Sequence, residues 1–152
     1  MRQRQHGVAI LEFALVLPLL LILTFITTEY GRALYQYNTL AKSVRDAARY
    51  LSVQVPGDTS KYATAKNLVV YGNPAGSGQP LAIGLTTAMV PDPVWALKGA
   101  APLINTVTIQ IGQGAAGSPT RYTFSPIIAS AFGLNFGNIT FAPITATMRA
   151  PL

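Results

Sequence analysis

Hydrophobic residues run almost unbroken from Val8 to Ile26, and the only charge among them is Glu12. Those 19 residues are close to the roughly 20 that cross a hydrocarbon core of about 30 Å as a helix. Beyond them the pattern turns from continuous to periodic. Tyr30, Leu34, Tyr37, Ala41, Val44, Ala48 and Leu51 recur at spacings of four and three, which predicts one apolar face of a continuing helix. Arg32, Gln36, Lys42, Arg45, Asp46 and Arg49 fall on its other faces. No proline interrupts Leu19 to Val55, and Pro56-Gly57 is a strong stop. The predicted helix therefore covers Val8 to Val55, about 72 Å if straight. Pro18, inside its apolar half, is a candidate kink. The outer half could cover its own domain's sheet or pack in a bundle, and the two are compatible.

The remaining 97 residues, 56–152, read as a small domain. Asp58 or Thr59 caps a short helix to about Tyr71, with Tyr62, Ala65 and Val69 on one side and Gly72 closing it. Asn73 to Pro80 is a loop by composition, and Leu81 to Val90 is expected to be extended. Asp92-Pro93 turns the chain, and Trp95 is expected to anchor a core edge. Val107, Ile109 and Ile111 alternate with Thr106, Thr108 and Gln110, which predicts a strand with one buried face. Thr120 to Phe124 returns with Tyr122 and Phe124 on one side, and Ser125 to Phe132 is expected to form a helical turn. A final strand is predicted from Ile139 through Ile144, Ala146 and Met148. Its apolar positions change parity across Ala142-Pro143, which calls for a bulge. The expected fold is α+β: a long N-terminal transmembrane and stalk helix packed on an antiparallel sheet of three or four strands.

Composition narrows the function. The chain has 152 residues, half of them hydrophobic and 11% charged, and a net charge of +6. Arg2 and Arg4 contribute two of those charges, and the rest are spread thinly, without a basic cluster interleaved with aromatics. Nucleic acid is therefore not an expected partner. There is no cysteine, so the outer domain must hold together by packing or docking. The single histidine is His6, which removes His/Cys metal clusters and nucleophile–histidine catalysis. Glu12, Glu29, Asp46, Asp58 and Asp92 form no pairing motif. No enzyme activity, cofactor, metal or small-molecule substrate is expected.

The head before the apolar run allows three readings. Arg2 and Arg4 predict a cytoplasmic N-terminus with the remainder crossing the membrane. A plain membrane anchor fits that pattern, with Glu12 reaching back to the headgroups. A cleaved secretory signal fits less well, because its apolar core is typically about 7–15 residues and Thr27-Thr28-Glu29-Tyr30 offers no small-x-small site. The third reading is a prepilin-type signal. Gly7, four apolar residues and Glu12-Phe13 resemble the processing site of type IV-like prepilins.

The opening HGVAILEFALVLPLLL, the continuation EYGRALYQYNTLAKSVRDAARYL, the NLVVYG that follows and the closing ITATMR resemble TadE-like proteins, pseudopilins of the tight-adherence (Tad, Flp) pilus systems. The likeness is densest over residues 6–51. It implies a pilin-like fold and a minor pilin or pseudopilin serving pilus assembly, adhesion and surface attachment. It also implies cleavage between Gly7 and Val8 by a prepilin peptidase. The implied organisation is a leader over 1–7, a transmembrane part over 8–27, an extramembrane helix over 28–55 and a periplasmic domain over 56–152. The implied setting is the bacterial inner membrane, with lipid, other pilin subunits and the Tad inner-membrane platform as partners. Phe13 stands where related pilins carry tyrosine, so a hydroxyl hydrogen bond is lost there.

Cleavage would expose an amine on Val8, ordinarily about 7.7–8.0 in pKa and so largely charged at neutral pH. A neighbouring copy shifted along the axis could then match that cation to Glu12. A unit pair at about 4 Å attracts by roughly 4 kcal/mol at an effective dielectric of 20, less residual desolvation. Glu12 is thus expected to set helix register, and an uncleaved, single-pass anchored scaffold or secretion accessory is the alternative.

Overall fold

One helix, α1 (His6–Ser52), takes up 47 residues without a break, including Pro18. At 1.5 Å per residue it is about 70 Å long. The computed structural model describes residues 6–114, 118–128 and 130–150, so Arg2 and Arg4 lie outside the described residues. The start agrees with the expected helix and the end comes three residues early. The Ser52 hydroxyl donates to the Arg49 carbonyl at 2.8 Å and the Gln54 amide to the Leu51 carbonyl at 2.9 Å. These bonds satisfy carbonyls that the next turn would have used, so the helix closes before Pro56 is reached. Where the apolar stretch ends, the hydroxyls of Thr24, Thr27 and Thr28 each donate at 2.8 Å to the carbonyl four residues earlier. Polar side chains there are satisfied within the helix itself.

The chain divides into two compact units, the helix up to Leu34 with Ser125–Asn138, and Tyr35–Phe124 with Ile139–Leu152. The second unit holds the main core. After α1, Asp58 caps a 3-10 turn (Thr59–Lys61) by accepting from the Ser60 N–H, and α2 (Tyr62–Tyr71) follows directly. Gly72 closes α2 at φ +71, where its N–H reaches the Leu68 carbonyl. A three-stranded antiparallel sheet comes next, in the order β1 (Val94–Lys98), β2 (Ile104–Ile111), β7 (Ile144–Arg149). Two-stranded ladders join β3 (Thr123–Phe124) to β6 (Ile139–Thr140) and β4 (Ser130–Ala131) to β5 (Leu134–Asn135). The architecture is α+β, a long apolar helix with a small antiparallel sheet domain.

Within the second unit α1 buries Leu40, Val44, Ala47, Ala48 and Leu51 completely. Ala65, Val69 and Val70 of α2 and Val107, Ile109 and Ile111 of β2 are as deeply buried. Removing a leucine- or valine-sized side chain from water stabilises by about 1.5–3 kcal/mol. This shared core is what holds the outer half of α1 on its domain. The expected apolar stripe is correct only at its outer end. Tyr30, Leu34 and Tyr37 are 61%, 46% and 42% exposed, whereas Glu29, Ala33 and Leu40 are buried. The buried line there sits one residue to the side of the expected one.

Three other expectations are corrected. Leu81 to Val90 is not a strand; it is irregular, with a 3-10 turn at Thr87–Met89 and Gly84 at φ +80. The strand in this region is β1, and half-buried Trp95 lies on it opposite Val107. Ser125 to Phe132 is not a helical turn, because β4 and β5 form a hairpin closed by Phe132 and Gly133 at φ +52 and +80. Both central residues at positive φ define the turn that matches strand twist. Finally, the run from Ile139 is two strands rather than one with a bulge. β6 pairs with β3 and β7 with β2, and the change of parity marks a change of sheet across Phe141–Pro143. The Arg121 guanidinium donates to the Phe141 carbonyl at 2.8 and 3.1 Å in that break.

Candidate functional site

Of the residues singled out by sequence, Gly7, Val8, Glu12 and Phe13 sit at the start of α1 and Pro18 further along it. Gly7, Val8, Glu12 and Phe13 are all exposed, Val8 by 69% and Phe13 by 59%. Around Gly7 nothing lies within 4 Å of where a Cβ would stand. Gly7 is helical here rather than extended, so a protease would have to unwind this turn before cutting. Glycine lowers that cost, since it weakens a helix by about 1 kcal/mol relative to alanine.

Glu12 has no cation at three or four residues on either side, since those positions are Ala9, Val8, Leu15 and Val16. Among the described residues it makes no ion pair. Pro18 lies within the unbroken helix and is half-buried.

The carboxylate that the fold does use is Glu29, which sequence reasoning treated as one scattered acid among five. Glu29 is 8% exposed. Its Oε1 accepts from the backbone N–H groups of Ile127 and Ile128 at 3.2 and 3.4 Å, while Oε2 pairs with Arg32 at 2.5 Å. One side chain thereby clamps Ser125–Asn138 to α1. A weak signal was present in the sequence: Glu29 is the first charge after the apolar stretch, and Arg32 follows at i+3. Its partners are backbone groups almost a hundred residues away, which no local pattern announces.

Glu12 and Glu29 bracket the uncharged part of α1. Seventeen residues separate them, about 26 Å along the axis. That length approaches the roughly 30 Å hydrocarbon thickness. Gly7–Ser52 contains a span long and apolar enough to cross a membrane, with none of its most apolar 18-residue window buried. Most side chains from Val8 to Thr28 are exposed, but Pro18, Leu21, Ile22 and Phe25 are half-buried. They continue the line of Glu29 along one face.

In the second unit a cleft of about 250 Å³ is lined by Thr39, Lys42, Ser43, Asp46 and Leu81, among others. Another of about 210 Å³ lies beside Asp92, Thr108 and Gln110. In the first, the Thr39 and Ser43 hydroxyls donate to the Tyr35 and Leu40 carbonyls at 2.9 Å each. Among the described residues no three His, Cys, Asp or Glu gather as a metal site would require. The Tyr122 hydroxyl is committed to structure, donating to Gln36 Oε1 at 2.8 Å.

Residues 7–49 match the family of TadE-like proteins. Neither curated proteins nor solved structures gave a match to the chain.

Proposed function

We propose that this TadE-like protein, matched to its family over residues 7–49, is a minor pilin or pseudopilin that takes part in assembling a Tad (Flp) pilus used for surface attachment. The observation that carries the reading is the coincidence of that match with the one helix, among the described residues, long and apolar enough to cross a membrane: the match opens on Gly7 and runs to Arg49. In this reading the head faces the cytoplasm, the helix anchors the chain in the inner membrane, and the sheet domain stands in the periplasm. A prepilin peptidase cuts after Gly7, freeing the Val8 amine. The mature helix is then drawn into an assembly with other pilin subunits on the inner-membrane platform. The chain's contribution is mechanical and non-enzymatic.

Glu12 supplies the register. A carboxylate at the centre of a membrane helix costs about 2.5–3.5 kcal/mol, and less at this shallower level. That penalty is relieved when a neighbour's Val8 amine comes alongside, so one stagger is favoured over the others. Phe13 packs beside that pair, and Pro18 lets the helix bend as it leaves the bilayer. Mass spectrometry of the native protein from cells with a working peptidase tests the processing step: the expected first residue is Val8. A retained Arg2–Arg4 head refutes it. Loss of piliation in Glu12→Gln and Glu12→Ala is the expected result for register, and normal pili would exclude that role.

A second reading has one observation in its favour. Gly7 lies in a helical turn, the backbone state least suited to a protease. An uncleaved anchor acting as periplasmic scaffold or secretion accessory would retain that turn, and the same mass measurement separates the two.

A further inference from the structure

The fourteen residues Ser125–Asn138 contain no charge at all, in the sequence SPIIASAFGLNFGN. Their apolar side chains fall into two sets. Pro126, Ile128, Ala131 and Phe136 are half-buried, whereas Ile127, Phe132 and Leu134 are exposed by 74%, 57% and 47%. A segment with apolar residues on both faces and no charge is poorly suited to open water. The hairpin turn adds to this: Phe132 sits at φ +52, a position for which asparagine, aspartate or glycine is usual. An aromatic held there costs backbone strain and leaves its ring at the tip.

The position of the segment along α1 says what covers the exposed set. Ser125–Asn138 forms one unit with the helix up to Leu34, and Glu29 ties its Ile127 and Ile128 N–H groups to the first charge beyond the apolar stretch. The half-buried line from Phe25 back to Pro18 then descends about 10 Å into that stretch. Ser125–Asn138 is thus tied to α1 three residues beyond Ile26, where the apolar stretch ends.

We infer that Ser125–Asn138 is a membrane-docking hairpin, lying at the headgroup–acyl boundary of the leaflet at the Glu29 end of the apolar stretch with Ile127, Phe132 and Leu134 turned to lipid. This rests on the helix spanning a bilayer. The boundary is favoured over the hydrocarbon interior because β4 and β5 are two residues each and leave open edges, which hydrocarbon does not tolerate. Ser125, Ser130, Asn135 and Asn138 have polar headgroups and water within reach at that level. Docking there gives α1 a second point of attachment and fixes its rotation about its own axis, so that Glu12 faces a defined direction. Extraction of the protein from the membrane would then have to release the hairpin as well as the helix.

The chain has no cysteine, so single spin labels report cleanly. Full-length Ile127→Cys, Phe132→Cys and Leu134→Cys proteins would be labelled and reconstituted in phosphatidylcholine–phosphatidylglycerol vesicles. Leu15→Cys in the apolar stretch and Val55→Cys, at a position that is 72% exposed, serve as references. Collision with dissolved oxygen, which prefers lipid, is compared with collision with a water-soluble nickel chelate. The expected ratio at the three hairpin sites lies between those at Leu15 and Val55, and dilution with unlabelled protein leaves the line shape unchanged. A hairpin ratio equal to that at Val55, with Leu15 still lipid-like, overturns the docking and leaves the span intact. A water-like ratio at Leu15 overturns the span itself. Spin–spin broadening at Phe132→Cys that dilution removes assigns the surface to a second copy instead of lipid.

Discussion

Glu29 offers the sharpest test of how the first unit is held. Replacing it by alanine removes the acceptor for the Ile127 and Ile128 N–H groups and the partner of Arg32 in one step. Hydrogen bonds to a charged group contribute about 1.5–3 kcal/mol each, but at 3.2 and 3.4 Å these two are long, so about 1 kcal/mol each is appropriate. The part-buried i,i+3 pair with Arg32 lies within α1 and does not itself hold Ser125–Asn138. Local opening of Ser125–Asn138 should therefore become easier by about 2 kcal/mol, roughly 30-fold in the opening equilibrium. Glu29→Gln keeps an acceptor but not its charge and should lose about half as much, roughly fivefold. Amide hydrogen exchange at Ile127 and Ile128, measured on the full chain in nanodiscs, reads this directly. Exchange in β1, β2 and β7, which lie in the other unit, should be unchanged. If Ile127 and Ile128 exchange equally fast in the parent and in Glu29→Ala, the carboxylate is not what holds the segment.

Three further outcomes follow from the second unit. Leu40→Ala should destabilise it by about 2–5 kcal/mol in a denaturant melt, because the side chain is fully buried, whereas Leu34→Ala, at 46% exposure, should change stability by less than about 1 kcal/mol. Equal effects would return the buried line to the face expected from sequence. Gly72→Ala should cost about 1 kcal/mol or more, since φ is +71 and the new Cβ would meet Leu81 Cδ2 at 3.3 Å; thermal unfolding of the variant measures it. Hydrogen bonding from Ser60 holds the Asp58 carboxyl below its usual range, with Lys61 acting in the same direction. Its contribution to the 3-10 turn that leads into α2 is therefore complete above the ordinary aspartate pKa and is lost as pH falls through the depressed value. The Asp58 carboxyl shift followed by NMR against pH should show that midpoint, and a midpoint at or above the ordinary value would refute the cap.

Continuous apolarity from Val8 to Ile26 is a property of composition, and it determines a helix that only lipid or other apolar surface can surround. The 3.6-residue period beyond it, the Asp58 cap and Gly72 stop, and the alternation in β2 were likewise legible, because each arises from residues within a few positions of one another. Which face of α1 is buried was not legible to better than one residue. Alanine and tyrosine both count as apolar along the chain, and only the space left by the opposing elements chooses between them. The pairing of β7 with β2, of β6 with β3, and the hairpin at Phe132 depended on partners distant in sequence. Glu29 shows the division most plainly: the chain fixes a carboxylate at the end of its apolar stretch, but the fold alone brings two backbone donors to it, because burial of an acid is tolerable only where such donors arrive.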